Sequence, residues 1–142
     1  MYQIVDRPVA SLDPTRQVAL RVMRSWVHAA RADNPPLDAV SETFAAHGMV
    51  GALIPFSRLM QALDRKARLP LTFCHPDCPA ITPDEAVLLT VLSDLARRDI
   101  AKARTSLTLL LGEDEAEAIL LATIQWNEAL RALALSAQRS GD

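Results

Sequence analysis

Apolar side chains return every three or four positions along most of the chain, the period of an α-helix with one buried face. Val18, Val22, Met23, Trp26, Val27 and Ala30 form the first such stripe, with Arg16, Arg21, Arg24 and Arg31 largely off it. Asp13-Pro14 opens the segment with a capping carboxylate and a proline at the first helical position, where the missing N–H costs nothing. The spacing predicts a helix over 14–31. Asn34-Pro35 repeats the device and opens a shorter helix carrying Leu37, Val40, Phe44 and His47, closed by Gly48. Phe56, Leu59, Met60 and Leu63 predict a third helix from about Pro55 to Lys66. Residues 48–54 carry no clear period, and a start as early as Met49 would put a kink at Pro55.

Beyond a proline-rich stretch, Thr82-Pro83-Asp84-Glu85 reads as a capping box, and Val87, Leu88, Val91, Leu92 and Leu95 continue it over 83–98. Asp99 caps a further helix through Ile100, Ala103, Leu107, Leu110 and Leu111, stopped by Gly112. The acidic run Glu113-Asp114-Glu115 suits the positive end of a helix dipole. The last helix then continues through Ile119, Thr123, Trp126, Leu130, Leu133 and Ala137, with fraying expected from Gln138. Leu69 to Phe73 is the one short extended candidate. The expectation is an all-α, single-domain bundle of five or six helices, with a Pro/Cys-rich loop (about 69–82) between the third and fourth. Residues 1–12 form an irregular lead, 13–138 the helical domain and 139–142 a frayed tail.

Composition agrees with that picture. Half the residues are hydrophobic, yet the aromatics are three Phe, two Trp and one Tyr, so an aliphatic core is expected, which suits helices better than a sheet. A net charge of −2 gives no footprint for nucleic acid or an acidic membrane surface. The start Met-Tyr-Gln-Ile-Val-Asp-Arg-Pro lacks the basic and apolar regions of a signal peptide, and no apolar run reaches the roughly 20 residues of a spanning helix. A soluble, cytoplasmic chain without membrane partners is expected. In a reducing compartment its two cysteines are expected as thiols or ligands rather than as a disulfide.

Chemistry gathers in one place. Leu69 to Glu85 holds both cysteines, one of the three histidines and four of the nine prolines. Cys74, His75 and Cys78 are the candidate metal ligands, with zinc the metal their donor types suit. The C-x3-C spacing is not the usual C-x2-C hairpin, and His28, His47 or Asp77 would have to complete the shell. Cys74 and His75 are neighbours, whose side chains normally diverge in an extended loop. As a nucleophile, either cysteine would need a base or a helix N-terminus, and no base is identifiable, so neither catalytic residues nor a cofactor is expected. The bland alternative makes both cysteines small buried hydrophobes in a stiff crossing loop.

Arg97, Arg98, Lys102 and Arg104 surround a helix–helix break and invite a DNA-binding reading. Charge counts oppose it: Arg58 to Arg104 carries a net of only +2, and Glu113 onward a net of −4. The acidic cluster at Glu113 is explained by its place at a helix start, and no Glu-x-x-His motif accompanies it.

The order of features resembles a small, uncharacterised all-helical family of bacterial proteins known as a domain of unknown function. The resemblance rests on Arg21-Val22-Met23, on Gly48 and Pro55 through Leu59-Met60, on Cys78-Pro79 followed by Thr82, Glu85 and Leu88-Leu89, and on Leu109-Leu110-Leu111-Gly112. It implies a helical fold in a bacterial cytoplasm and transfers no catalytic residues.

The leading functional expectation is a protein-interaction or regulatory module that binds a protein partner or its own copy. The final helix, with a second apolar row at Leu120, Ile124 and Ala134, is the expected dimer surface. The alternatives are a metal- or thiol-dependent protein using the Cys74/Cys78 loop and a DNA-binding regulator.

Overall fold

A computed structural model describes residues 7–67 and 69–140. Six α-helices follow in order: α1 (Pro14–Arg31), α2 (Pro36–Ala46), α3 (Leu53–Lys66), α4 (Pro83–Ala96), α5 (Ile100–Leu111) and α6 (Glu113–Ser140). Short 3-10 turns at Val9–Ser11 and Val50–Ala52 precede α1 and α3. Pro55 lies in the first turn of α3, where an absent N–H breaks no helical bond, so no kink forms there. Asp13 accepts the Arg16 N–H at 2.9 Å and caps α1, and Asp99 accepts the Lys102 N–H at 3.2 Å and caps α5. The lead docks against the rest through the Val9 N–H, which donates to the Pro79 carbonyl at 2.7 Å. Residues 1–6 of that lead lie outside the described residues, as do Gly141 and Asp142 of the tail; α6 continues past Gln138 to Ser140.

Three helices end in the same way. At the ends of α1, α2 and α4, residues Asp33, Gly48 and Arg98 take φ values of 57°, 70° and 65°. The next N–H in each case (Asn34, Met49, Asp99) reaches back five residues to the carbonyl of Ala29, Phe44 or Asp94. This pairing satisfies carbonyls that the helix end would otherwise leave open. It also separates α4 from α5, so 83–111 is two helices.

α6 forms the spine, packing chiefly against α3 and α5 and also against α4 and α1, while α1 pairs with α2. The fully buried Trp126 meets Phe56 edge-on at 4.8 Å between ring centroids, and Phe56 meets Phe44 at 5.0 Å. Around this aromatic line the core is mostly Leu, Val, Met, Ile and Ala, with Trp26 and Phe73 as further aromatics. The row Leu120, Ile124 and Ala134 is not a free face: Leu120 is 7% exposed within its own chain and the other two are half-buried. No described helix is long and apolar enough to cross a membrane.

Candidate functional site: the Cys74–Cys78 loop

His75-Pro76-Asp77-Cys78 is a turn closed by the Cys78 N–H donating to the His75 carbonyl at 3.0 Å. Proline suits the second position of such a turn because its ring presets φ. The turn brings Cys74 and Cys78 to a Cα–Cα distance of 5.9 Å, and their sulfurs are joined in a disulfide. The expectation of free thiols is corrected here, and the cause is local: four residues folded through a proline turn leave the two Cβ atoms facing each other. Apolar anchors stand on either side, with Phe73 and Ile81 buried, while His75, Pro76 and Asp77 are exposed at the tip.

Beneath the tip lies an ion pair shielded from water. Arg24 of α1 is 2% exposed and Glu85 of α4 is 0% exposed. Arg24 donates through Nε to Glu85 Oε2 and through Nη2 to Glu85 Oε1, both at 2.8 Å, in the side-on geometry that matches guanidinium to carboxylate. It also donates through Nη1 to the Cys78 carbonyl and through Nη2 to the Ala80 carbonyl, both at 2.7 Å. Glu85 Oε2 accepts the Cys74 N–H at 3.0 Å, and Oε1 accepts the Thr82 N–H at 2.9 Å. One buried pair therefore holds both feet of the disulfide ring, Cys74 through Glu85 and Cys78 through Arg24.

The predicted capping box is present. The Thr82 hydroxyl accepts the Glu85 N–H at 3.2 Å and donates to the Thr72 carbonyl at 2.8 Å. Arg31 adds donors to the Leu71 carbonyl at 3.2 Å and the Phe73 carbonyl at 3.4 Å. Burial alone would raise the Glu85 pKa, but hydrogen bonds from Arg24, the Thr82 N–H and the Cys74 N–H, with the Arg24 charge, outweigh it and lower the value below 4.5.

The predicted ligand trio is brought together. The ligand atoms of Cys74, His75 and Cys78 lie within 4.8 Å of one another, so the neighbouring Cys74 and His75 side chains converge across the turn instead of diverging. His28, His47 and Asp77 do not join them: among the described residues the cluster is these three alone. In the disulfide form its sulfurs are bonded to each other and cannot serve as thiolate ligands.

Sequence reasoning missed Arg24, which was placed off the apolar stripe with the other arginines. Its signal was present: Leu20, Arg24 and Val27 follow the same three-four spacing, so position 24 faces inward. Against family models, curated proteins and solved structures the chain has no significant match.

Proposed function

We propose that the protein is a regulatory module whose responsive element is the Cys74–Cys78 ring. A dithiol reductant opens the disulfide by taking two electron equivalents from its own two thiols: the reductant becomes a disulfide, and Cys74 and Cys78 each gain a hydrogen. The reverse exchange closes the ring. The observation that carries this reading is that both feet of the ring are hydrogen-bonded to the Arg24–Glu85 pair as well as joined by the S–S bond.

Magnitudes support a responsive role over a structural one. Chain-entropy bookkeeping for a ring of about five residues gives about 2 kcal/mol. Leaving one member of a buried ion pair unpartnered costs about 3–5 kcal/mol. The scaffold thus outlasts the S–S bond, and opening it frees chiefly the exposed His75-Pro76-Asp77 tip. That tip is the surface a protein partner, or a second copy, would read.

Equilibration in glutathione buffers of graded ratio, with the two thiol states separated by alkylation and mass, tests the reading. Reversible conversion with unchanged helical circular dichroism supports it; a ring that never forms, or unfolding on reduction, sinks it. The ligand cluster favours a metal as a second reading: once reduced, Cys74, His75 and Cys78 supply three of the usual four zinc ligands. Elemental analysis of reduced protein purified without chelators, together with cobalt absorption in the reduced and oxidised forms, tests that reading.

A further inference from the structure

The Cys74 and Cys78 sulfurs and a ring nitrogen of His75 lie within 4.8 Å of one another. Two metal–ligand bonds of about 2.0–2.3 Å span about 4–4.6 Å across an ion, so these donors are spaced to close on a single centre once the sulfurs are thiols. Three contacts hold the same turn without involving the sulfurs. The Cys78 N–H donates to the His75 carbonyl, Glu85 accepts the Cys74 N–H, and Arg24 donates to the Cys78 carbonyl. These remain to order the donors when the ring opens, which lowers the cost of binding.

The donor count bears on which ion fits. Zinc takes four ligands in a closed protein site, and a fourth is not at hand. Among the described residues no other histidine, cysteine or carboxylate joins the cluster. Glu85 is spent on Arg24 and on the N–H groups of Cys74 and Thr82, and Asp84 accepts the Thr72 N–H at 2.6 Å. Two thiolates and an imidazole are a soft set, and a soft monovalent d10 ion is satisfied by three donors in a plane, without the tetrahedron zinc seeks.

We infer that the reduced loop is a three-coordinate cuprous-ion site, with Cys74 Sγ, Cys78 Sγ and a His75 nitrogen as its ligands. This rests on the redox reading, since the sulfur donors exist only with the ring open. Binding releases two thiol protons to solvent, forms two copper–sulfur bonds and adds one copper–nitrogen bond; the ion stays monovalent and no electron moves. The disulfide form offers no thiolate, so the ion holds the loop in its dithiol state and links copper supply to thiol redox state.

The test takes the whole protein, reduced with a phosphine, freed of reductant without oxygen, and counted for thiols by alkylation and mass. Cuprous ion is then titrated against the competing chelator bicinchoninate, and zinc against a zinc indicator. The expected result is one cuprous ion per chain with Kd below about 1 nM, and zinc at least about a hundredfold weaker. X-ray absorption should show two sulfur neighbours and one nitrogen neighbour. His75→Ala, at an exposed position, should weaken cuprous binding at least about tenfold and remove the nitrogen neighbour, with helical circular dichroism unchanged. Cys74→Ser should abolish one-to-one binding. With both thiols counted, four results would each overturn the inference and leave the redox reading standing: no competition with bicinchoninate, zinc bound as tightly as copper, half an ion per chain, or unchanged binding by His75→Ala. A ring that no reductant opens overturns both.

Discussion

Arg24 and Glu85, 61 positions apart in sequence, share two 2.8 Å hydrogen bonds in a site closed to water. Each partner spends its remaining capacity on backbone: Arg24 on the carbonyls of Cys78 and Ala80, Glu85 on the N–H groups of Cys74 and Thr82. The pair ties α1, α4 and the crossing loop into one unit. It also satisfies half-buried backbone groups in a segment without a helix or sheet of its own.

Arg24→Met and Glu85→Gln should each destabilise by about 3–5 kcal/mol, because each strands a buried charge. The Arg24→Met/Glu85→Gln double variant should lose less than the sum of the single losses. Urea unfolding of all four proteins measures the coupling.

Cys74→Ser and Cys78→Ser should cost no more than about 2 kcal/mol each relative to the oxidised protein, and nothing relative to the reduced one. A loss comparable with that of Glu85→Gln would make the disulfide structural.

Acid should weaken the protein with a defined sign. The Glu85 pKa is lower in the folded state than its ordinary value of 4.5. Its contribution is therefore fully present above about pH 4.5 and is lost as pH falls through the folded value. Asp13, also lowered, by its hydrogen bonds to Arg16, acts in the same direction from a more exposed site. Denaturation curves between pH 7 and pH 3 should show stability falling on the acid side, with a shallower slope in Glu85→Gln.

Trp126→Phe should be nearly neutral, within about 1 kcal/mol, although Trp126 is the largest fully buried side chain. Its indole N–H has no partner among the described residues, so removing it offsets lost contact area. Trp126→Ala should cost about 3–5 kcal/mol. Thermal melts of the two variants separate these outcomes.

Arg98→Gly should stabilise by up to about 1 kcal/mol, since position 98 holds a left-handed conformation at φ 65° with a solvent-exposed side chain. The same conformation explains what the sequence concealed. Gly48 advertised the end of α2, whereas Asp33 and Arg98 close α1 and α4 with residues that do not announce that geometry. The junction between α4 and α5 was accordingly open to being read as continuous.

Elsewhere the periodicity was a faithful guide. The Asp13, Thr82 and Asp99 caps and the apolar stripes place five of the helix starts within a residue or two, because capping and amphipathicity are local. Two things were not local. The second apolar row of α6 looked like a spare surface, but a central helix is covered on several sides, so Leu120 faces its own core. Arg24 looked like one more solvated arginine: its spacing from Leu20 and Val27 marks an inward position, but a helical period cannot name a partner 61 residues away. At the loop, residue types marked the candidate site, while the pairing of the sulfurs depended on a turn whose signal, proline between His75 and Asp77, was read only as stiffness.

The most direct test of the Cys74–Cys78 account is a redox titration of the whole protein read by amide NMR. It predicts a reversible two-electron transition whose shifts are confined to residues near 73–80, with the Arg24 side-chain N–H signals retained and the helical envelope unchanged. Shifts spread through α1 and α4, or loss of the Arg24 signals on reduction, would contradict it: the S–S bond would then be holding the fold together.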